Sequence, residues 1–349
     1  MLALASMGAV SLHERVGAHR VVFPRGALPQ VAEILDAEPV RRSEGELLVD
    51  VDTLNVDSAS FRQLDETGDV ARQIESIVAA RGKLHNPVTG SGGMLIGRVS
   101  STGNELGERF GVAAGDRIAT LVSLTLTPLF LDEIRAVRAD AHQVDVRGTA
   151  VVFPTGALAR MPDDIPERIA LALFDIAGAA PQVLRLAKPG ASVCVLGAGG
   201  KSGLVCAAAA RERVGDGGVV VGVEQIEAAA DAARAVGHCT AVVAGDASDP
   251  LPTVAAASAH APDGFDLVVS CVNAPGAEAA AIMLARERGC VYFFSMATSF
   301  SRAALGAEGL SRDVDLMIGN GYCIDHASQT LALYRRHPSL RAELAKRYV

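Results

Sequence analysis

Two hydrophobic rhythms divide the chain. Up to about residue 160, short apolar runs at 20–23, 46–53, 93–100 and 117–122 are bounded by Gly, Pro, Asp and Asn, the pattern of strands and turns. One helix-like run, 69–81, interrupts them. After Met161 the rhythm changes: apolar runs at 192–196, 219–223, 241–244, 267–271, 291–294 and 316–318 alternate with helical stretches. Such alternation makes a parallel sheet with right-handed crossovers. The expected fold class is α/β, with a β-rich N-terminal domain over 1–160 and a doubly wound parallel sheet over 161–349. Pro162-Asp163-Asp164-Ile165-Pro166 reads as a helix start at the border. The C-terminal helix is a candidate to pack back on the first domain.

Bulk properties narrow the picture. The 349 residues suffice for two domains, each with its own core. Half are hydrophobic, and the positive mean hydropathy reflects alanine and valine. No run of about 18 charge-free apolar residues occurs, so no membrane span is expected. The opening MLALASMGAV lacks a positive flank and gives way to His13, Glu14 and Arg15, which reads as a frayed start rather than a signal peptide. A net charge of −8 with scattered basic residues argues against nucleic acid as a partner. The six cysteines begin at Cys194, have no CxxC spacing and fall partly in apolar runs. They read as buried free thiols of a reducing cytoplasm, and they exclude thiolate-anchored zinc from the first domain.

The densest chemical signal is 193–203, VCVLGAGGKSG: an apolar strand that breaks into glycines and then into an alanine-rich helix. Gly197, Gly199, Gly200 and Gly203, with Lys201 and Ser202 opening the helix, can turn bare N–H groups toward a pyrophosphate. The spacing G-x-G-x-x-x-G is one residue longer than the usual fingerprint. A phosphate loop of the kinase type would need glycine where Val195 stands. Glu224 ends the next strand, about 20 residues on, where an acid can bind ribose hydroxyls and repel a 2′-phosphate. The expected cofactor is therefore NAD. Asn273 and Ser295 follow later strands on the same side, where a ligand belongs. Asp246 either approaches adenine or caps the next helix. Lys201 either touches the pyrophosphate or points to solvent. A glycine turn in a nucleotide-free domain is the plainer alternative.

A β-rich domain ahead of a late dinucleotide fold, with Gly115-Asp116-Arg117-Ile118 and the run from Lys188 to Gly203, resembles the medium-chain dehydrogenases/reductases. Longer strings narrow the likeness. DSASF at 57–61, HNPVTGSGGMLIG at 85–97, ATLVSLTLTP at 119–128, YFFSMATSF at 292–300, ALGAEG at 304–309 and IGNGY at 318–322 resemble the zinc-free L-erythro-3,5-diaminohexanoate dehydrogenase family. The resemblance implies a GroES-like first domain, a Rossmann second domain and a homo-oligomer. It also implies NAD-dependent oxidation of a small diamino acid at C3, giving 5-amino-3-oxohexanoate and ammonium in lysine degradation. A quinone or enoyl-type reductase of the same fold would normally use NADPH, and Glu224 without a neighbouring arginine argues against it. A non-catalytic NAD-binding protein is the other rival.

Zinc relatives carry Gly-His-Glu where this chain has Gly92-Gly93-Met94, and His13, His19, His85 and His142 lack a ligand spacing, so no metal is expected. Amine oxidation then needs a proton sink, because an ammonium has no lone pair to expel hydride. The family-like strings supply candidates. Asp57, beside Ser58, takes a proton or pairs with an ammonium, or is simply a turn residue. His85 relays protons or is a hydrogen-bonded loop histidine. Thr89, with Asn86 and Ser91, can donate to substrate or nicotinamide. Glu308 holds the distal 5-ammonium or sits on a solvated loop. Lys83, Arg62 and Arg302 are cations for the substrate carboxylate, or solvated charges.

Overall fold

The computed structural model describes residues 10–319 and 321–349. The apolar opening 1–9, with the frayed-start expectation placed on it, lies outside the described residues, as does Asn320.

Up to Pro162 the chain forms one compact unit. A ribbon of β1 (Val21–Phe23) and β2 (Ile34–Leu35) accompanies β3 (Leu47–Asn55), β4 (Met94–Thr102), β5 (Arg117–Thr120), β6 (Leu129–Arg138), β7 (Gln143–Val152) and β8 (Leu158–Arg160). These six make an antiparallel sheet in the order β6-β7-β3-β4-β5-β8. Alternation sets the faces: Val49 and Val51 turn into the core, while Asp50 and Asp52 face water. Among the described residues, the α-helices of this unit are α1 (Leu12–Arg15), α2 (Ser58–Thr67), α3 (Val70–Arg81) and α4 (Asn104–Phe110). The helix expected at 69–81 is α3, capped by Asp69 and buried along Val70, Ile74 and Val78.

A buried ion pair ties the N-terminal arm to β3. Arg20, fully buried, donates from Nε to Glu46 Oε1 at 2.7 Å and from Nη2 to Oε2 at 2.9 Å. Glu46 also takes His19 Nε2 at 2.6 Å and the Arg42 N–H at 2.6 Å. Burial pushes this carboxyl up, but the bonds from Arg20, His19 and Arg42 outweigh it and hold the pKa at about 2.

From Asp163 a second compact unit begins. Its strands are β9 (Ser192–Leu196), β10 (Val219–Glu224), β11 (Ala241–Ala244), β12 (Phe265–Ser270), β13 (Ala285–Phe293) and β14 (Asp315–Ile318). All pair in parallel, in the order β11-β10-β9-β12-β13-β14, so the strand order reverses between β9 and β12. The helices are α5 (Glu167–Asp175), α6 (Ala179–Leu186), α7 (Lys201–Val214), α8 (Glu227–Val236), α9 (Pro250–Ser258), α10 (Glu278–Leu284), α11 (Phe300–Gly309), α12 (His326–Arg336) and α13 (Pro338–Tyr348). Strands covered on both faces read as unbroken apolar runs, as Val193 to Leu196 does. In α7, Ala207 to Ala210 are all buried. The terminal helix α13 packs within this unit, on α5, α7 and α8.

The cysteines depart from the expectation of uniform burial. Only Cys194 and Cys206 are buried; Cys239, Cys271, Cys290 and Cys323 are half-buried and all are free. The reason is position: Cys271 follows the tip of β12, and Cys239 and Cys323 lie in connections.

Candidate functional site

The second unit builds a cleft at the carboxyl ends of its central strands. At Gly197 the chain leaves β9 with φ +75°, a conformation glycine adopts without Cβ strain. The Gly197 and Ala198 N–H groups close onto Val223 O at 2.9 and 3.1 Å. A Cβ on Gly199 would stand 2.2 Å from Ala229 O, and one on Gly203 2.0 Å from Gly197 O. Both glycines therefore exist for close approach of backbone to backbone. Gly200, the N-cap of α7, is open: a Cβ there would meet only Gly197 O, at 3.5 Å.

Glu224 ends β10 and its carboxylate is shared within the loop. Oε2 accepts from the Gly199 N–H at 2.9 Å; Oε1 accepts from the Gln225 and Ile226 N–H groups at 3.0 and 3.2 Å. A cleft of about 310 Å³ opens here, lined by Gly197, Gly200, Glu224, Gln225, Asp246, Cys271 and Asn273 among others. It sits where the strand order reverses, the position at which doubly wound sheets bind ligands. No lysine or arginine is among its described lining residues.

The other expected cofactor residues are placed as follows. Lys201 Nζ is engaged by Asp175 Oδ2 at 2.5 Å, a third arrangement beside pyrophosphate contact or free solvation. Ser202 stands half-buried in the first turn of α7. Asp246 caps no helix, because α9 is capped at Asp249. Instead its Oδ1 takes the Ser248 N–H and hydroxyl, and its Oδ2 takes the Gln225 amide at 3.0 Å. Asn273 is exposed on the cleft wall. Ser295 follows β13, where its Oγ accepts the Ala297 N–H. Glu308 and Arg302 are exposed on a helix, α11, rather than on a loop.

The first unit gathers a polar cluster of its own. Asp57 is the N-cap of α2: Oδ1 accepts the Ala59 and Ser60 N–H groups at 3.1 and 3.0 Å. Its Oδ2 is buried without a hydrogen-bond partner. Ser60 Oγ lies 2.5 Å from Thr89 Oγ1, and a Cβ on Gly93 would stand 2.9 Å from Asp57 N. These contacts join the strings 57–61 and 85–97 in space. His85 Nδ1 is buried and unpartnered; burial first, then Lys83 and Arg81, lower its pKa. Exposed Ser58 reaches His142 Nδ1 at 3.1 Å, and His142, at φ +52°, stacks on Phe61 with ring centres 4.9 Å apart. His142 is the member that spacing failed to single out, since nothing near it in sequence marks it.

Two of the candidate cations have structural roles. Lys83 is fully buried, donates to Pro29 O at 2.9 Å, and burial, aided by Arg81, lowers its pKa to about 8. Arg62 Nε is turned back onto Ser58 O. Asn86 shapes its own turn, its Oδ1 accepting the Val88 and Thr89 N–H groups. Among the described residues, no group of three His, Cys, Asp or Glu side chains could hold a metal ion.

Residues 19–162 match the family model described as the L-erythro-3,5-diaminohexanoate dehydrogenase N-terminal domain. A relative from Acetoanaerobium sticklandii, named L-erythro-3,5-diaminohexanoate dehydrogenase, is 44% identical over 341 residues, covering 96% of this chain and 99% of its own. The chain belongs to the L-erythro-3,5-diaminohexanoate dehydrogenase family. A second relative of that name, from Fusobacterium nucleatum, is 44% identical over 333 residues, covering 94% of this chain and 96% of its own. Among solved structures, the quinone oxidoreductase from Coxiella burnetii has a TM-score of 0.55 at 16% identity, covering 88% of this chain and 84% of that one, a likeness of fold. In this member of the family, the segment matched by the N-terminal model lies in the unit that carries Asp57, His85 and Thr89.

Proposed function

We propose that the protein catalyses NAD-dependent oxidative deamination of L-erythro-3,5-diaminohexanoate to 5-amino-3-oxohexanoate and ammonium. Identity of 44% over nearly the whole of two relatives bearing that name is the observation that carries the reading. The glycine loop with its acid-rimmed cleft supports a dinucleotide: Gly197, Gly199 and Gly203 admit no side chain, Gly200 is open, and Glu224 borders the cleft. These residues, with Ser202, Asp246 and Asn273 nearby, would hold a nicotinamide dinucleotide, which when bound supplies a hydride acceptor. Ser295 and Lys201 complete the surroundings from β13 and the foot of α7.

The buried, unpartnered Asp57 Oδ2 supports a role as the atom that takes a proton from the C3 ammonium. Only the neutral amine has the lone pair the oxidation needs. His85, whose Nδ1 is buried and unpartnered and whose pKa burial lowers, is the second proton acceptor we propose in this unit. Ser58 and Thr89 offer hydroxyls to substrate, and Glu308 an exposed carboxylate to the 5-ammonium. We also infer a homo-oligomer, for which β14 offers an open sheet edge with Ile318 exposed.

The reading is tested by NADH formation with 3,5-diaminohexanoate set against mono-amino and hydroxy analogues; equal turnover of an analogue lacking the 3-amine would overturn it. Gly199→Ala should raise the NADH dissociation constant about tenfold, because the new Cβ must push α8 away. Fluorescence titration reads that change. Glu224→Ala should weaken NAD binding and raise relative use of NADP about tenfold, since it removes both the loop's acceptor and the charge facing a 2′-phosphate. Competing steady-state assays with the two cofactors check it.

A further inference from the structure

The last turn of α13 meets the glycine loop from outside the cleft. Arg347 Nη1 donates to Gly199 O at 3.0 Å. The guanidinium is aimed by Glu343, one turn earlier, whose Oε1 receives Nε at 2.9 Å and Nη2 at 2.8 Å. Glu343 is 8% exposed, and the partly exposed Arg347 side chain is anchored by its two bonds to it. On its other side Gly199 gives its N–H to Glu224, and its Cα is wedged against Ala229 O. Gly199 is thus bonded through both its N–H and its C=O.

This matters because of what the loop must present. A loop that receives a pyrophosphate has to offer N–H groups and keep carbonyl oxygens turned away. The Gly199–Gly200 peptide is flanked by two residues without Cβ, so it is the one most free to rotate. In a trans planar peptide the C=O and N–H point in opposite directions, so a hold on one fixes the other. Gly200 N–H closes the turn onto Gly197 O at 3.3 Å, a long bond that holds little by itself. The charged donor on Gly199 O is the stronger restraint.

We infer that Arg347 is a positioning residue for the nucleotide: from the C-terminal helix it locks the Gly199–Gly200 peptide so that the Gly199 carbonyl oxygen stays turned away from the phosphates. The inference rests on the reading that this loop holds a dinucleotide. It concerns a residue that lines no part of the cleft and lies where the chain's family-like strings have ended.

Full-length wild type, Arg347→Ala, Arg347→Lys and Glu343→Gln are compared for the NADH dissociation constant, KM for NAD, KM for the diamino acid, kcat and melting temperature. The expected result is a rise of about tenfold in the NADH dissociation constant and in KM for NAD for Arg347→Ala, with kcat and the other KM little changed. Arg347→Lys should recover part of the loss, since an ammonium can still donate to the carbonyl without the fork to Glu343. Glu343→Gln should fall between. Unchanged NADH affinity in Arg347→Ala overturns the inference, and so does a general loss of kcat with a lowered melting temperature, which marks α13 as structural only. Failure of wild type itself to bind NADH would instead remove the dinucleotide reading beneath it.

Discussion

Asp57→Asn is expected to lower kcat by about 100-fold or more and leave the melting temperature where it was. Asparagine caps a helix as well as aspartate does, because its amide oxygen can take over the two N–H bonds of Oδ1. What asparagine lacks is a second oxygen able to hold a proton, and Oδ2 is the buried atom without a partner. The substitution therefore separates the two duties of one side chain. Asp57→Ala should remove both, with an added stability loss of about 1 kcal/mol from the cap. Steady-state kinetics beside thermal melting read the split. A kcat equal to wild type in Asp57→Asn would leave Asp57 as a cap alone.

Glu46→Ala is expected to destabilise the first unit by about 3–5 kcal/mol. Arg20 has no exposed surface, and Glu46 accepts two of its bonds; the remaining ones go to the carbonyls of Asp36, Glu38 and Val40, and the Asp36 carboxylate, 3.9 Å from Nη1, is the other negative charge beside it but accepts no hydrogen bond from it. Leaving a guanidinium buried without its hydrogen-bonded carboxylate is the costly outcome, whatever the pair is worth intact. The acid side follows from the same bonds. A carboxyl whose folded pKa lies below its ordinary 4.5 stabilises above that value and loses its contribution as pH falls toward about 2. Glu46→Gln should flatten that part of the acid unfolding curve. Urea denaturation followed by circular dichroism from pH 7 downward tests both statements, and a midpoint unmoved by Glu46→Ala would refute the first.

The second unit was the more readable half, for a physical reason. Strands covered on both faces must be apolar throughout, so 192–196 matches β9 residue for residue; the edge strand β11, only half-buried, also matches 241–244 because its four residues are alanine and valine. Where charge intrudes the reading falters: β13 begins at Ala285, six residues before the expected 291, because Arg286, Glu287 and Arg288 hide its first half. In the first unit, the hydrophobic pattern marks neither β6 nor β7. Asp132, Glu133 and Arg135 occupy the wet side of β6, and bulges after Leu131 and Ile134 throw its alternation out of step. Helix α2 was missed because its surface is polar, although Asp57 stood in front of it as a cap.

The site divides along the same line. The turn at Gly197 follows from local covalent geometry, whereas the close approaches of Gly199 to Ala229 O and of Gly203 to Gly197 O emerge only in the fold. The Ser60–Thr89 contact beside Asp57 and the Ser58–His142 bond depend on packing between segments up to 84 residues apart in the chain, and the strings shared with the family point to every one of these residues except His142. Arg347 illustrates the limit, for its meaning comes wholly from the carbonyl it touches.

Helix α7 carries a consequence for how such a protein can change over generations. Positions 207–210 already bear the smallest side chain that is not glycine, and all are enclosed. Trimming is closed off and enlargement meets neighbours on every side. Natural variation that retunes the distance between this helix and its sheet must therefore start from the surrounding strands, with the alanines as the fixed gauge.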